Sequence, residues 1–131
     1  MVRFKLSIKV LEYRWADLAL VVNNKEKMFC FEKVPNNPLN DLLESAIRIF
    51  GKVDSTIIFH NGSQQEFLSV KSTENELCCV ETEDVHLTLS VKQFSRAILR
   101  MFDSYVFVFS RDDYCNHWSA FPEKDVTVQS H

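Results

Sequence analysis

The stretch from Asn37 to Gly51, NPLNDLLESAIRIFG, constrains this chain more than any other. Leu39, Leu42, Leu43, Ala46, Ile47 and Phe50 follow the spacing i, i+3, i+4, i+7, i+8, i+11. On a helix of 3.6 residues per turn that spacing makes one apolar stripe. Asn37 is suited to cap the helix, and Pro38 falls at the first helical position, where its missing N–H costs nothing. Asp41 and Glu44 stand near the positive end of the helix and Arg48 near the negative end, with Gly51 placed as a left-handed stop. So wide a stripe requires a surface to cover, and the flanking segments read as strands.

Val2, Phe4, Leu6, Ile8 and Val10 alternate with Arg3, Lys5, Ser7 and Lys9, the pattern of a half-buried strand. Leu18–Val22 and Lys27–Lys33 flank Asn23-Asn24-Lys25 as a hairpin. Ser55–His60 and Glu66–Lys71 flank Asn61-Gly62, a strong hairpin signal. Glu76–Glu81 and the alternating run Val85 to Leu89 extend the meander. Ser90 with Gln93 forms a capping box. Phe94, Ala97, Ile98, Met101, Phe102 and Tyr105 then repeat the spacing of the first helix. The expectation is an α+β fold: a mostly antiparallel sheet of about seven strands, with two amphipathic helices packed on one face. Leu43, Ile47, Ile98 and Phe102 should share its core. Tyr114, Trp118 and Phe121 should tuck the C-terminal segment against the body.

At 131 residues the chain fits one domain, 1–131, able to bury roughly two thirds of its unfolded surface. Hydrophobic residues make up 46% and charged residues 25%, as in an ordinary globular protein. With two glycines in all, a glycine-rich phosphate loop is excluded. A net charge of −3 argues against general nucleic-acid binding, which needs a basic surface. Arg3, Lys5 and Lys9 interrupt the N-terminal apolar residues, so no signal-peptide core is visible, and Leu18–Val22 is too short to span a bilayer. Cys30, Cys78, Cys79 and Cys115 contain no CxxC pair, and adjacent Cys78 and Cys79 point to opposite faces of a strand. Reduced thiols in the cytoplasm are the expectation.

Few residues offer chemistry. Asp112, Asp113, Cys115 and His117 cluster, but a zinc site draws on pairs from separate segments and no second pair is visible. A surface turn accounts for them. His60 and His86 have no nucleophile beside them in sequence, and Cys78 sits in a strand as an inert thiol. The paired acids Glu12 and Asp17, or Asp112 and Asp113, read as solvated turns. No cofactor, metal or catalytic set is expected. One charge feature remains: Glu74, Glu76, Glu81, Glu83 and Asp84 lie between Ser72 and Val91 with no Lys or Arg among them. Either they pair with Arg3, Lys5 and Lys9 on a neighbouring strand, or they form a docking surface for a basic protein. Trp15, Tyr114 or Trp118 would then anchor the interface. Lys92, Arg96 and Arg100 line one face of the second helix, as solubilising residues or an anion site.

The layout resembles small bacterial α+β immunity proteins of contact-dependent inhibition and other polymorphic toxin systems. The residues that carry the resemblance are the first strand, Arg14-Trp15-Ala16-Asp17-Leu18, Asn37-Pro38-Leu39, Phe94–Phe102, and Trp118 with Phe121-Pro122. The resemblance implies a cytoplasmic, non-enzymatic inhibitor, monomeric or weakly dimeric, that neutralises a cognate toxin domain with a basic surface. That toxin would often be a nuclease. Glu74, Glu76, Glu81, Glu83, Asp84 and Trp118 are the expected partner-binding residues. The alternative is a small-molecule-binding or accessory domain with a pocket between helices and sheet.

Overall fold

A computed structural model describes residues 2–122. The fold is α+β, with seven antiparallel strands and three helices. Strands β1 (Phe4–Leu11), β2 (Trp15–Val22) and β3 (Lys25–Glu32) form one meander. Strands β4 (Ser55–Asn61), β5 (Gln64–Ser72), β6 (Leu77–Glu81) and β7 (His86–Ser90) form a second. Helix α1 (Pro38–Arg48) joins the two, and α2 (Val91–Val108) and α3 (Arg111–His117) follow the last strand.

The strands thus divide into two sheets rather than one. On β4 the Ile58 carbonyl accepts from Asn36 Nδ2 at 2.9 Å, and in the turn just past the strand the Gly62 amide donates to Glu32 Oε1 at 3.1 Å. Backbone groups bonded this way need no ladder with β3. The sheets meet instead through aromatic rings, Phe29 stacked on Phe59 at 4.4 Å and Phe31 tilted against it at 5.1 Å.

Helix α1 begins as its sequence dictates, with Pro38 in the first turn and Asn37 Oδ1 accepting from the Asn40 amide. Leu39, Leu42, Leu43 and Ala46 are buried, while Ile47 packs partly buried against the same core. The stripe does not continue to Phe50. The last turn tightens into a 3-10 turn, Ile49–Gly51, which buries Ile49 and leaves Phe50 49% exposed. A tighter turn advances about 120° per residue instead of 100°, so the inward position falls one residue earlier. The left-handed stop is likewise Lys52, at φ 62°, and not Gly51.

Ser90 caps α2 through the Gln93 amide, but the Gln93 side chain reaches the Val2 carbonyl at 2.6 Å and so ties α2 to the strand start. Phe94, Ala97, Ile98, Met101, Phe102 and Tyr105 are buried, and the core joins them to the α1 stripe. Helix α3 stands where the sequence suggested a surface turn. Its Tyr114 is fully buried, with ring contacts to Phe102, Tyr105 and Phe121. Among the described residues, no helix is long and apolar enough to cross a membrane.

Candidate functional site: an acidic cleft between the sheets

Folding separates the acids that lie together in sequence. Glu74 and Glu76 stand in the turn before β6, and Glu83 and Asp84 in the turn after it. Five residues of strand hold these turns apart by about 13–17 Å. Glu76 shares a small cleft with Lys52 and Lys92, so it faces local bases. At the other end Glu83 shares a cleft with Glu66 of β5 and Asp84 is joined to Glu66 through Lys27, while Glu81 lies on the outer face of β6 beside His86.

Lys27 of β3 organises that end. Its Nζ stands 3.2 Å from Glu66 Oε1 and 3.1 Å from Asp84 Oδ2, and 5.2 Å over the Phe29 ring. Burial alone would lower the ammonium pKa, but the hydrogen bonds and attraction of Asp84 and Glu66 outweigh it and raise the pKa above 10.5. The lysine therefore stays charged and clamps β3 to the second sheet. Glu81 has its own partner, His86 Nδ1 at 3.2 Å. Among the described residues, Glu66 and Asp84 pair with Lys27 and Glu81 with His86, none of them with Arg3, Lys5 or Lys9, and Glu83 has no ion pair.

Beside the clamp lies an open cleft of about 580 Å³, lined by Met28, Cys30, Phe59, Asn61, Gln64, Gln65, Glu66 and Glu83. Two carboxylates line it and no base does. Met28, 40% exposed, gives the rim an apolar contact. Such a surface can receive a cationic side chain, with the carboxylates as charge-assisted acceptors. Glu66, Lys27 and Met28 escaped sequence reasoning. Nothing in sequence distinguishes them from other strand residues, because it is the meeting of the two sheets that gathers them.

Trp118 is not an interface anchor. It is 3% exposed, donates its indole N–H to Asn37 Oδ1 at 2.9 Å, and sets its ring edge-on to Phe31. Tyr114 is also core; Trp15, at 44% exposure, remains accessible. Asp113 accepts from the Tyr105 hydroxyl and stands 3.3 Å from His117 Nδ1, while Cys115 is exposed. Among the described residues, no group of three His, Cys, Asp or Glu side chains is arranged to hold a metal ion.

A second charged surface lies along β1 and α2. An open groove of about 840 Å³ is lined by Arg3, Lys5, Lys92, Arg96 and Arg100, with Phe4, Leu6 and Ala97 at its floor. No acid lines it, and no ion pair forms at these cations among the described residues. The cleft against the first turn of α2 holds about 160 Å³, below the roughly 300 Å³ of small-molecule sites, whereas the open groove between β1 and α2 and the acidic cleft exceed it. Comparison with family models, curated proteins and solved structures returns no match.

Proposed function

We propose that this chain is a non-enzymatic protein-binding inhibitor, an immunity protein that neutralises a cognate toxin domain in the cytoplasm. The observation that carries the reading is the acidic cleft: Glu66, held by Lys27, and Glu83 line it with Met28, and no Lys or Arg is among its lining residues. A cleft of this kind suits an Arg or Lys from a basic surface, such as the phosphate-binding face of a nuclease. Occupying that face blocks the toxin's substrate without any turnover by the inhibitor. The carboxylates also raise the rate of encounter, because complementary potentials steer association.

The test pairs growth with binding. Cells expressing a toxin domain encoded beside this chain's gene should survive when this chain is co-expressed. The two proteins should sediment as a one-to-one complex. Glu83→Lys should weaken protection, while Glu74→Lys/Glu76→Lys should leave it intact. Protection indifferent to Glu83→Lys would remove the cleft from the interface, and absence of any complex would remove the inhibitor reading.

A further inference from the structure

The outer face of the second sheet carries a side-chain array that the docking role does not use. Cys79 and Glu81 of β6 point to the same side, two residues apart, and His86 of β7 lies directly opposite Glu81 in register. The Cys79 Sγ stands 3.3 Å from His86 Nε2, and His86 Nδ1 stands 3.2 Å from Glu81 Oε2. The three groups therefore form a line: thiol, imidazole, carboxylate. Lys71 of β5 is opposite Cys79 on the other flank and is exposed. Both strands around Cys79 thus present a nitrogen base or cation to this face.

We propose that Cys79 is a modification site, a thiol oxidised by hydroperoxides with His86 as its general base and Glu81 as the positioning residue. Glu81 accepts the Nδ1 proton of the imidazole and leaves Nε2 free to accept from the thiol, the relation that activates a nucleophile. In the step, His86 takes the thiol proton and the sulfur attacks the terminal oxygen of the hydroperoxide. The S–O bond forms as the O–O bond breaks. The departing alkoxide takes the proton from His86, giving the sulfenic acid and an alcohol. Sulfur loses two electrons and the peroxide gains them.

The other three thiols provide internal controls. Cys78, on the inner face of the same strand, is fully buried, and burial pushes its pKa up to about 11. Cys30 is exposed, but its hydrogen bond to Asp17 followed by burial raises its pKa to about 11. Cys115 is exposed on α3, and no histidine contact to its sulfur is seen among the described residues. Exposure alone would therefore rank Cys30 and Cys115 above half-buried Cys79. The array reverses that order. This inference stands apart from the docking role, since it concerns the free protein.

The experiment treats the full chain with cumene hydroperoxide and traps sulfenic acid with dimedone, reading each cysteine by peptide mass spectrometry. Iodoacetamide labelling runs in parallel. Cys79 should react at least about ten-fold faster than Cys115, below the factor of 10² or more of enclosed general bases because this face is wet. His86→Asn should bring Cys79 down to the Cys115 rate with the circular dichroism unchanged. Glu81→Ala should slow it, and Glu81→Gln, which keeps an acceptor for Nδ1–H, should restore most of the rate. Cys79 reacting no faster than Cys115 would overturn the proposal, as would an unchanged rate in His86→Asn.

Discussion

The acidic cleft and the basic groove are alike in openness and opposite in sign, but they differ in how their charges are held. At the cleft, Glu66 is bonded to Lys27, which also holds Asp84 beside the opening, while Glu83 has no ion pair among the described residues. In the groove, Arg3, Lys5, Lys92, Arg96 and Arg100 have no ion pair among the described residues. Fixed carboxylates lose little freedom when a partner arrives, whereas each free Arg or Lys forfeits up to about 2 kcal/mol of rotamer entropy if it is immobilised. On the acidic side, Glu66 is thus already held in place before a partner arrives. The basic side is built like a solubilising surface.

The largest expected effect tests whether the cleft depends on the meeting of the sheets. Phe59 is 1% exposed, stacks on Phe29 and lines the cleft. Phe59→Ala should destabilise the protein by about 3–5 kcal/mol in urea unfolding, as for a buried aromatic. A loss under about 1 kcal/mol would mean that the two sheets do not rely on this contact.

Removal of the clamp comes next. Lys27→Met should cost about 1–2 kcal/mol, the scale of hydrogen bonds to charged groups reduced by the exposure of Asp84. The pH dependence has a defined sign. Because the folded pKa lies above 10.5, the contribution is intact below the unfolded value and fades as pH rises through the folded one. Stability should therefore drop at strongly alkaline pH in the wild type, and this component of the drop should be missing in Lys27→Met. Equal alkaline profiles would show that the clamp adds nothing.

The smallest effect belongs to the groove. Arg96→Gln/Arg100→Gln should shift stability by no more than about 0.5 kcal/mol, as expected of exposed charges without partners. A larger loss would reveal bonds that hold these cations, and the contrast between the two surfaces would fail.

Much of the framework was legible in sequence, because periodicity reports burial directly. The stripes Leu39 to Ala46 and Phe94 to Tyr105 are buried as read, and β6 alternates as read, whereas in β1 a register shift between Ile8 and Val10 buries Leu11 in place of Val10. What failed depended on pitch or on distant contacts. Phe50 and Ile49 exchange roles because the helix tightens in its last turn. The run of acids from Glu74 to Asp84 looked like one patch because sequence places its ends ten residues apart, while strand β6 carries them to opposite ends. Trp118 was legible as a residue that tucks the C-terminal segment against the body, but its second reading as a surface anchor failed because its partners, Asn37 and Phe31, lie more than eighty residues away. The Cys79–His86–Glu81 array was hidden for the same reason: only the register of β6 on β7 aligns it.

The central claim is that the acidic cleft, and not the basic groove, receives the partner. Association of the toxin domain with wild type, Glu83→Lys and Arg96→Glu/Arg100→Glu, measured by surface plasmon resonance at low and high salt, tests it most directly. Glu83→Lys should slow association several-fold at low salt, with the effect shrinking as the Debye length falls from about 30 Å at 0.01 M to about 8 Å at 0.15 M. Arg96→Glu/Arg100→Glu should leave the on-rate unchanged or slightly raised. A wild-type on-rate for Glu83→Lys, or slowed association for Arg96→Glu/Arg100→Glu, would contradict the account.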